Sequence, residues 1–253
     1  MLYDRYQAAR DAAWRTLLKF EVCSLPVDVE AIAGKLGIEI LSRPEGQEEG
    51  FLPGSAAVTL RKGGRFQVLM QKGLSYSRYR FALAHELGHI ILQHPMTRLP
   101  DGALTFTGLE NAGDVMAEPK DDSDTDADMF AIRLLAPACV LHSLHMETKE
   151  CIAALCGLPE GAAVLRAERM ALLDHRNAYG IHPLEKQVQK QFASFIRTKR
   201  QEQVPEKKRP ERPVTEAALP VRPAAPEKKA LPLWLLAAAA AIMMALGFFL
   251  FRG

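Results

Sequence analysis

His85 and His89 stand four residues apart with Glu86 between them, in the run Ala84-His85-Glu86-Leu87-Gly88-His89. On a helix, residues i and i+4 share a face about one turn apart, so the two imidazoles point the same way. This His-Glu-x-x-His (HExxH) spacing suits two nitrogen donors gripping one Zn²⁺, while the carboxylate between them reaches a water on the ion as general base. The carrier helix is legible on both sides. No proline occurs from Leu74 to His94, and Phe81, Leu83 or Ala84, Leu87, Ile91 and Leu92 recur at helical spacing. That pattern predicts a buried amphipathic helix over about 75–93. Gly88 removes a side chain beside the second histidine, where a close-packed metal site or a neighbouring strand needs room.

A catalytic zinc takes three protein ligands and keeps a fourth position for water. The acidic run from Asp121 to Asp128 is the natural source of the third. Part of its acidity has a plainer cause, since carboxylates favour a helix amino terminus. At about 100° per residue, Ala127, Phe130, Ala131, Leu134 and Leu135 define a buried face, and Asp124 falls within about 50° of its centre. Asp126 lies on the far flank with Arg133 and is the second choice. Asp128, one turn beyond Asp124, is placed to accept the second ring N–H of a ligand histidine. Glu110 and Glu118, in the preceding loop, remain further candidates.

Other elements must hold these two helices. Tyr3 to Phe20 reads as a helix. Leu25-Pro26-Val27-Asp28 opens another, with Val29, Ile32, Ala33 and Leu36 on one face and Gly37 as its stop. Strands are predicted at 38–41, near Phe51, at 57–60 and at 66–70, punctuated by Pro53-Gly54 and Gly63-Gly64. A loop runs from Pro95 to about Lys120, and a helix covers about 122–136 up to Pro137. Short helices follow from Val140 to about Arg176, and 182–198 is helical as well.

The tail differs in kind. Leu231 to Phe251 is 21 residues without a charge, long enough at about 1.5 Å per residue to cross a bilayer core of roughly 30 Å. It is expected to be a single transmembrane helix with Trp234 and Arg252 at its ends. Lys228 and Lys229 precede it, and the positive-inside rule puts the amino-terminal side in the cytoplasm. No apolar signal segment opens the chain, because Met1 to Phe20 is interrupted by six charged residues from Asp4 to Lys19. Residues 199–230, with six prolines and nine Lys/Arg against five Glu, bury too little to order themselves and read as a disordered linker. Without the tail, residues 1–198 carry 22 basic and 25 acidic side chains. That balance leaves no footprint for nucleic acid. Cys23, Cys139, Cys151 and Cys156 show no paired metal spacing and are expected as small core hydrophobes. The expected divisions are a domain over 1–146, a helical extension over 147–198, the linker over 199–230 and the membrane helix over 231–251.

Arg78-x-Arg80-Phe81-x-x-Ala84-His85-Glu86-x-Gly88-His89, followed by Asp124-x-Asp126-Ala127-Asp128-x-Phe130-Ala131 and Leu134-Leu135-x-Pro137, resembles the two-part motif of the ImmA/IrrE family of zinc metallopeptidases. The resemblance covers about residues 20–175. It implies an α+β, zincin-like fold with a small twisted sheet and a peptidase with Zn²⁺ on His85, His89 and the first acid of the second motif, Asp124. It further implies Glu86 as the catalytic base and a protein substrate, such as a transcriptional regulator or a membrane-proximal protein. Asp stands at 124 and 126 where the family pattern has Glu, so the helix must approach about one methylene closer. Tyr79, His142 and His145 are candidate donors to a developing oxyanion. Two rival readings stand beside the protease. One is a zinc-binding sensor or scaffold without proteolysis. The other is a helix-turn-helix over 149–176 that binds DNA, against which Arg166, Arg169 and His175 are few basic groups.

Overall fold

The computed structural model describes residues 2–42, 55–99, 101–106 and 122–203. Helix α1 (Leu2–Lys19) buries Ala9, Ala13, Trp14 and Leu17 along one stripe. Helix α2 (Val29–Lys35) starts where the Asp28 carboxylate accepts the Ala31 N–H at 2.9 Å and buries Val29, Ile32 and Ala33.

Strands β1 (Glu39–Ser42), β2 (Ala57–Lys62) and β3 (Arg65–Met70) come next. β2 and β3 form a hairpin with Lys62 opposite Arg65. Its two-residue turn, Gly63-Gly64, has φ of 57° and 81°, the left-handed pair that a tight hairpin demands and that glycine supplies. β1 lies parallel to β3. Helix α3 (Tyr76–Leu92) is capped by the Ser75 hydroxyl and ends at Gln93, a residue in the left-handed region. It carries the histidine motif. Every residue from Arg80 to His89 is buried, so this stretch is enclosed all round rather than amphipathic as its pattern predicts.

The segment expected as a loop after Pro95 contains a second hairpin, β4 (Met96–Arg98) and β5 (Leu104–Phe106). β5 pairs with β2 through Leu60–Thr105 and Arg61–Leu104, giving the strand order β1-β3-β2-β5-β4 among the described residues. Three-residue strands are too short for alternation to register in a sequence. The predicted strand near Phe51, and Glu110 and Glu118, lie outside the described residues.

Helix α4 (Asp122–Leu135) packs across α3 and α1. The close approach is made at Gly88, where a Cβ would stand 3.1 Å from the Cα and carbonyl oxygen of Ala127. The room that Gly88 leaves is filled by a helix, not a strand. Five helices follow: α5 (Ala138–Ser143), α6 (Lys149–Cys156), α7 (Glu160–His175), α8 (Pro183–Gln191) and α9 (Ala193–Gln203). Ile152, Cys156, Met170, Val188 and Phe192 from this part join one core with Leu17, Leu83 and Phe130. Each such large side chain contributes about 1.5–3 kcal/mol by burial. The described residues fall within one compact unit, so the helices expected as an extension share its core.

Two expectations are corrected here. Residues 199–203, assigned to the linker, belong to α9, because Arg200 Nε donates to Ser143 O at 2.7 Å and Gln203 Nε2 to Leu144 O at 3.3 Å. Of the four cysteines only Cys139 and Cys156 are buried, whereas Cys23 and Cys151 are exposed. No helix among the described residues is long and apolar enough to cross a membrane, and the apolar segment 231–251 lies outside them.

Candidate metal centre

α3 brings His85 and His89 to one side, and α4 lays its first turn against them. His89 Nε2 is 2.9 Å from His85 Nε2 and 3.2 Å from Asp124 Oδ1, and His85 Nε2 is 3.9 Å from the same oxygen. Donors about 2.1 Å from an ion at tetrahedral corners stand about 3.4 Å apart, which is the range observed. All three side chains are buried. Two imidazole nitrogens and one carboxylate oxygen fit a borderline-soft divalent cation.

The tautomer of His85 follows from its partner. A carboxylate only accepts, so His85 Nδ1–H donates to Asp128 Oδ1 at 2.8 Å and leaves Nε2 as a lone pair facing the centre. Burial opposes protonation of His85. Its hydrogen bond to Asp128, with the charges of Asp128, Glu86 and Asp124, outweighs that and holds its pKa above the ordinary imidazole value. His94 performs a related task for His89, and the sequence did not single it out. Burial and the neighbouring His89 push His94 down to about 4, so its ring is neutral near pH 7. Its Nδ1 lies 2.9 Å from His89 Nδ1, so the two rings share a hydrogen bond on the side of His89 away from Nε2. Phe106 stacks on the His89 ring at 4.9 Å.

Glu86 is buried and its Oε2 accepts from the Thr59 hydroxyl at 2.6 Å, while the Thr105 hydroxyl donates to Thr59 O at 3.0 Å. Thr59 was missed, since a threonine in an alternating strand carries no mark of which carboxylate it meets. His94 follows the left-handed Gln93, which turns the chain back onto the helix it has just left.

Asp126, the second choice, is not brought to the centre. Its Oδ2 accepts from Arg5 Nε at 2.9 Å, and Arg5 also pairs with Asp122 at 2.6 Å. Both acids raise the Arg5 pKa. The oxyanion candidates are engaged elsewhere. The Tyr79 hydroxyl donates to Glu30 at 2.6 Å, His142 Nδ1 meets Glu147 at 2.7 Å, and His145 is exposed beyond α5. Arg166, on the segment weighed as DNA-binding, is buried.

A mixed α/β core with a histidine-rich helix, an acid-bearing helix across it and a buried His-His-Asp trio defines a metallopeptidase-type domain. The family model of the IrrE N-terminal-like domain, peptidase family M78, matches residues 33–168. The chain belongs to that family, in which metal dependence is typical. No curated protein matches the chain significantly.

Proposed function

We propose that this chain is a zinc-dependent endopeptidase held at a membrane by residues 231–251, with its catalytic domain in the cytoplasm. The observation that carries the reading is the meeting of His85, His89 and Asp124 beside the Glu86 carboxylate. His85, His89 and Asp124 would hold the ion, and nitrogen-rich ligation favours zinc over magnesium or calcium. When bound, the metal supplies Lewis acidity, lowering the pKa of water toward about 7 and polarising a peptide carbonyl.

The chain's own residues do the rest. Thr59 holds Glu86 Oε2, which leaves Oε1 to take a proton from the attacking water and hand it to the departing amine. Asp128 keeps His85 in its donor tautomer, and His94 holds the far nitrogen of the His89 ring. The substrate by family resemblance is a regulatory or membrane-proximal protein. The charge-free segment after Lys228-Lys229 supports the anchor, which would raise the effective concentration of neighbours on that surface.

A second reading, a metal-binding sensor without proteolysis, draws on the engagement of Tyr79 and His142 away from the centre. One comparison separates the two. Membranes from cells carrying wild type or Glu86→Gln are searched by mass spectrometry for protein fragments, and the metal content of both proteins is measured. The peptidase predicts fragments only with wild type and equal metal in both. Equal metal with no fragment that differs under any stress overturns it.

A further inference from the structure

A cavity of about 560 Å³ opens among α1, α4, α7 and α8, and five of its lining residues are arginines: Arg10, Arg133, Arg166, Arg169 and Arg176. Among the described residues the carboxylates that line it are Asp11 and Glu185, and both are occupied. Asp11 Oδ1 accepts from Arg10 at 2.8 Å, and Glu185 Oε2 accepts the Gly180 N–H at 2.9 Å. Burial also raises the Glu185 pKa.

The guanidiniums of Arg133 and Arg169 lie 4.2 and 4.3 Å from the centre of the Tyr6 ring. Arg133 donates to the Met129 carbonyl at 2.6 Å. Among the described residues no carboxylate forms an ion pair with Arg133, Arg166 or Arg169. Arg166 is 3% exposed, and its Nε and that of Arg169 are buried without a hydrogen-bond partner. Burial, then Arg133, pushes the Arg166 pKa down to about 10, which still leaves it charged at neutral pH.

Buried charge without a carboxylate partner is costly for a fold to carry, and clustering like charges raises the cost. Guanidiniums are also the donors best matched to phosphoryl oxygens, through paired N–H groups in a planar fork. The volume is that of a small-molecule site, well above what a single inorganic ion fills. Trp14 adds an aromatic wall, flanked by His182 at 5.2 Å and Arg10 at 5.0 Å.

We propose that this cavity binds a soluble phosphate-bearing anion of nucleotide size, its phosphoryl oxygens taken by Arg133, Arg166 and Arg169. A lipid headgroup is a poorer fit, because the Arg166 guanidinium is enclosed by four helices rather than presented on a surface. The ligand would bridge α1, α4 and α7. Its contact on α4, Arg133, lies nearer the opposite end of that helix from Asp124.

The test uses the full-length chain in detergent and phosphate-free buffer, with inorganic pyrophosphate and ADP as probes in thermal melting and calorimetry. Expected is a saturable rise of several degrees with at least one probe. Arg166→Met should abolish the rise while melting no lower than ligand-free wild type, since it removes an unpaired buried charge. Arg169→Gln, at a partly exposed position, should weaken binding tenfold or more. No response of wild type to either probe overturns the proposal, as does a response unchanged in both variants. Arg166-dependent capture by phosphatidate vesicles without binding of either soluble probe also overturns it.

Discussion

His85, His89 and Asp124 form one histidine–carboxylate trio, and His142, Glu147 and Asp174 form another, each with donor atoms within 4.8 Å of one another. Their surroundings differ. The first trio is buried and offers two imidazole nitrogens whose opposite ring atoms are tied back, to Asp128 and His94. The second is half-exposed and offers one imidazole, whose Nδ1 is already spent on Glu147 at 2.7 Å and lies 3.7 Å from Asp174. Its ring is pinned flat against Tyr179 at 3.8 Å. Similar residue types therefore make an orienting hydrogen bond in one place and a set of rings tied back from a shared centre in the other. What separates them is whether each donor's remaining atoms are occupied before a cation arrives.

Four experiments act on that contrast. The largest effect belongs to His89→Ala, which should empty the protein of metal by elemental analysis, while His142→Ala leaves metal content unchanged. Equal losses would erase the distinction. Next, Asp128→Asn should weaken metal affinity about 10- to 100-fold in a chelator competition, with no change for Asp174→Asn. Third, Gly88→Ala should cost about 1–3 kcal/mol in denaturant unfolding, because the added carbon meets the backbone of α4. A neutral result would mean that the two helices do not need their close approach.

The smallest effect reads the surroundings themselves. Burial pushes the thiols of Cys139 and Cys156 up to about 12. A raised folded-state pKa means that these thiols favour the fold below the ordinary thiol range and lose that contribution as pH climbs toward 12. At pH 8 a thiol reagent should modify Cys23 and Cys151 quickly in the native protein, and Cys139 and Cys156 only after unfolding. Fast labelling of all four would show the core around α5 and α6 to be open.

Much of the centre was legible because helical geometry is periodic. Counting 100° steps set Asp124 on the inward face, Asp126 on the far flank and Asp128 one turn on; in the structure Asp124 is buried and Asp128 meets His85, whereas Asp126 is held by Arg5 rather than left to solvent. The paired motif named the family that the chain belongs to. What escaped was decided by tertiary contact. Thr59 meets Glu86 only because β2 lies beneath α3, and His94 returns only because Gln93 adopts a left-handed turn. The last turn of α9 exists because α5 offers it the carbonyls of Ser143 and Leu144. Arg166 and Arg169, counted as a sparse surface footprint, turn toward a cavity that four separate helices create.

Arg5 fastens the opening turn of α4 through both Asp122 and Asp126, and that turn carries Asp124. If His85, His89 and Asp124 hold a cation as proposed, their grip would be partly governed from α1, far along the chain from the histidines. An affinity tag crowding Arg5, or a proteolytic nick removing it, should leave a folded protein that binds metal less tightly. Preparations differing only at that end are then not interchangeable, and titrating metal into each would expose the difference.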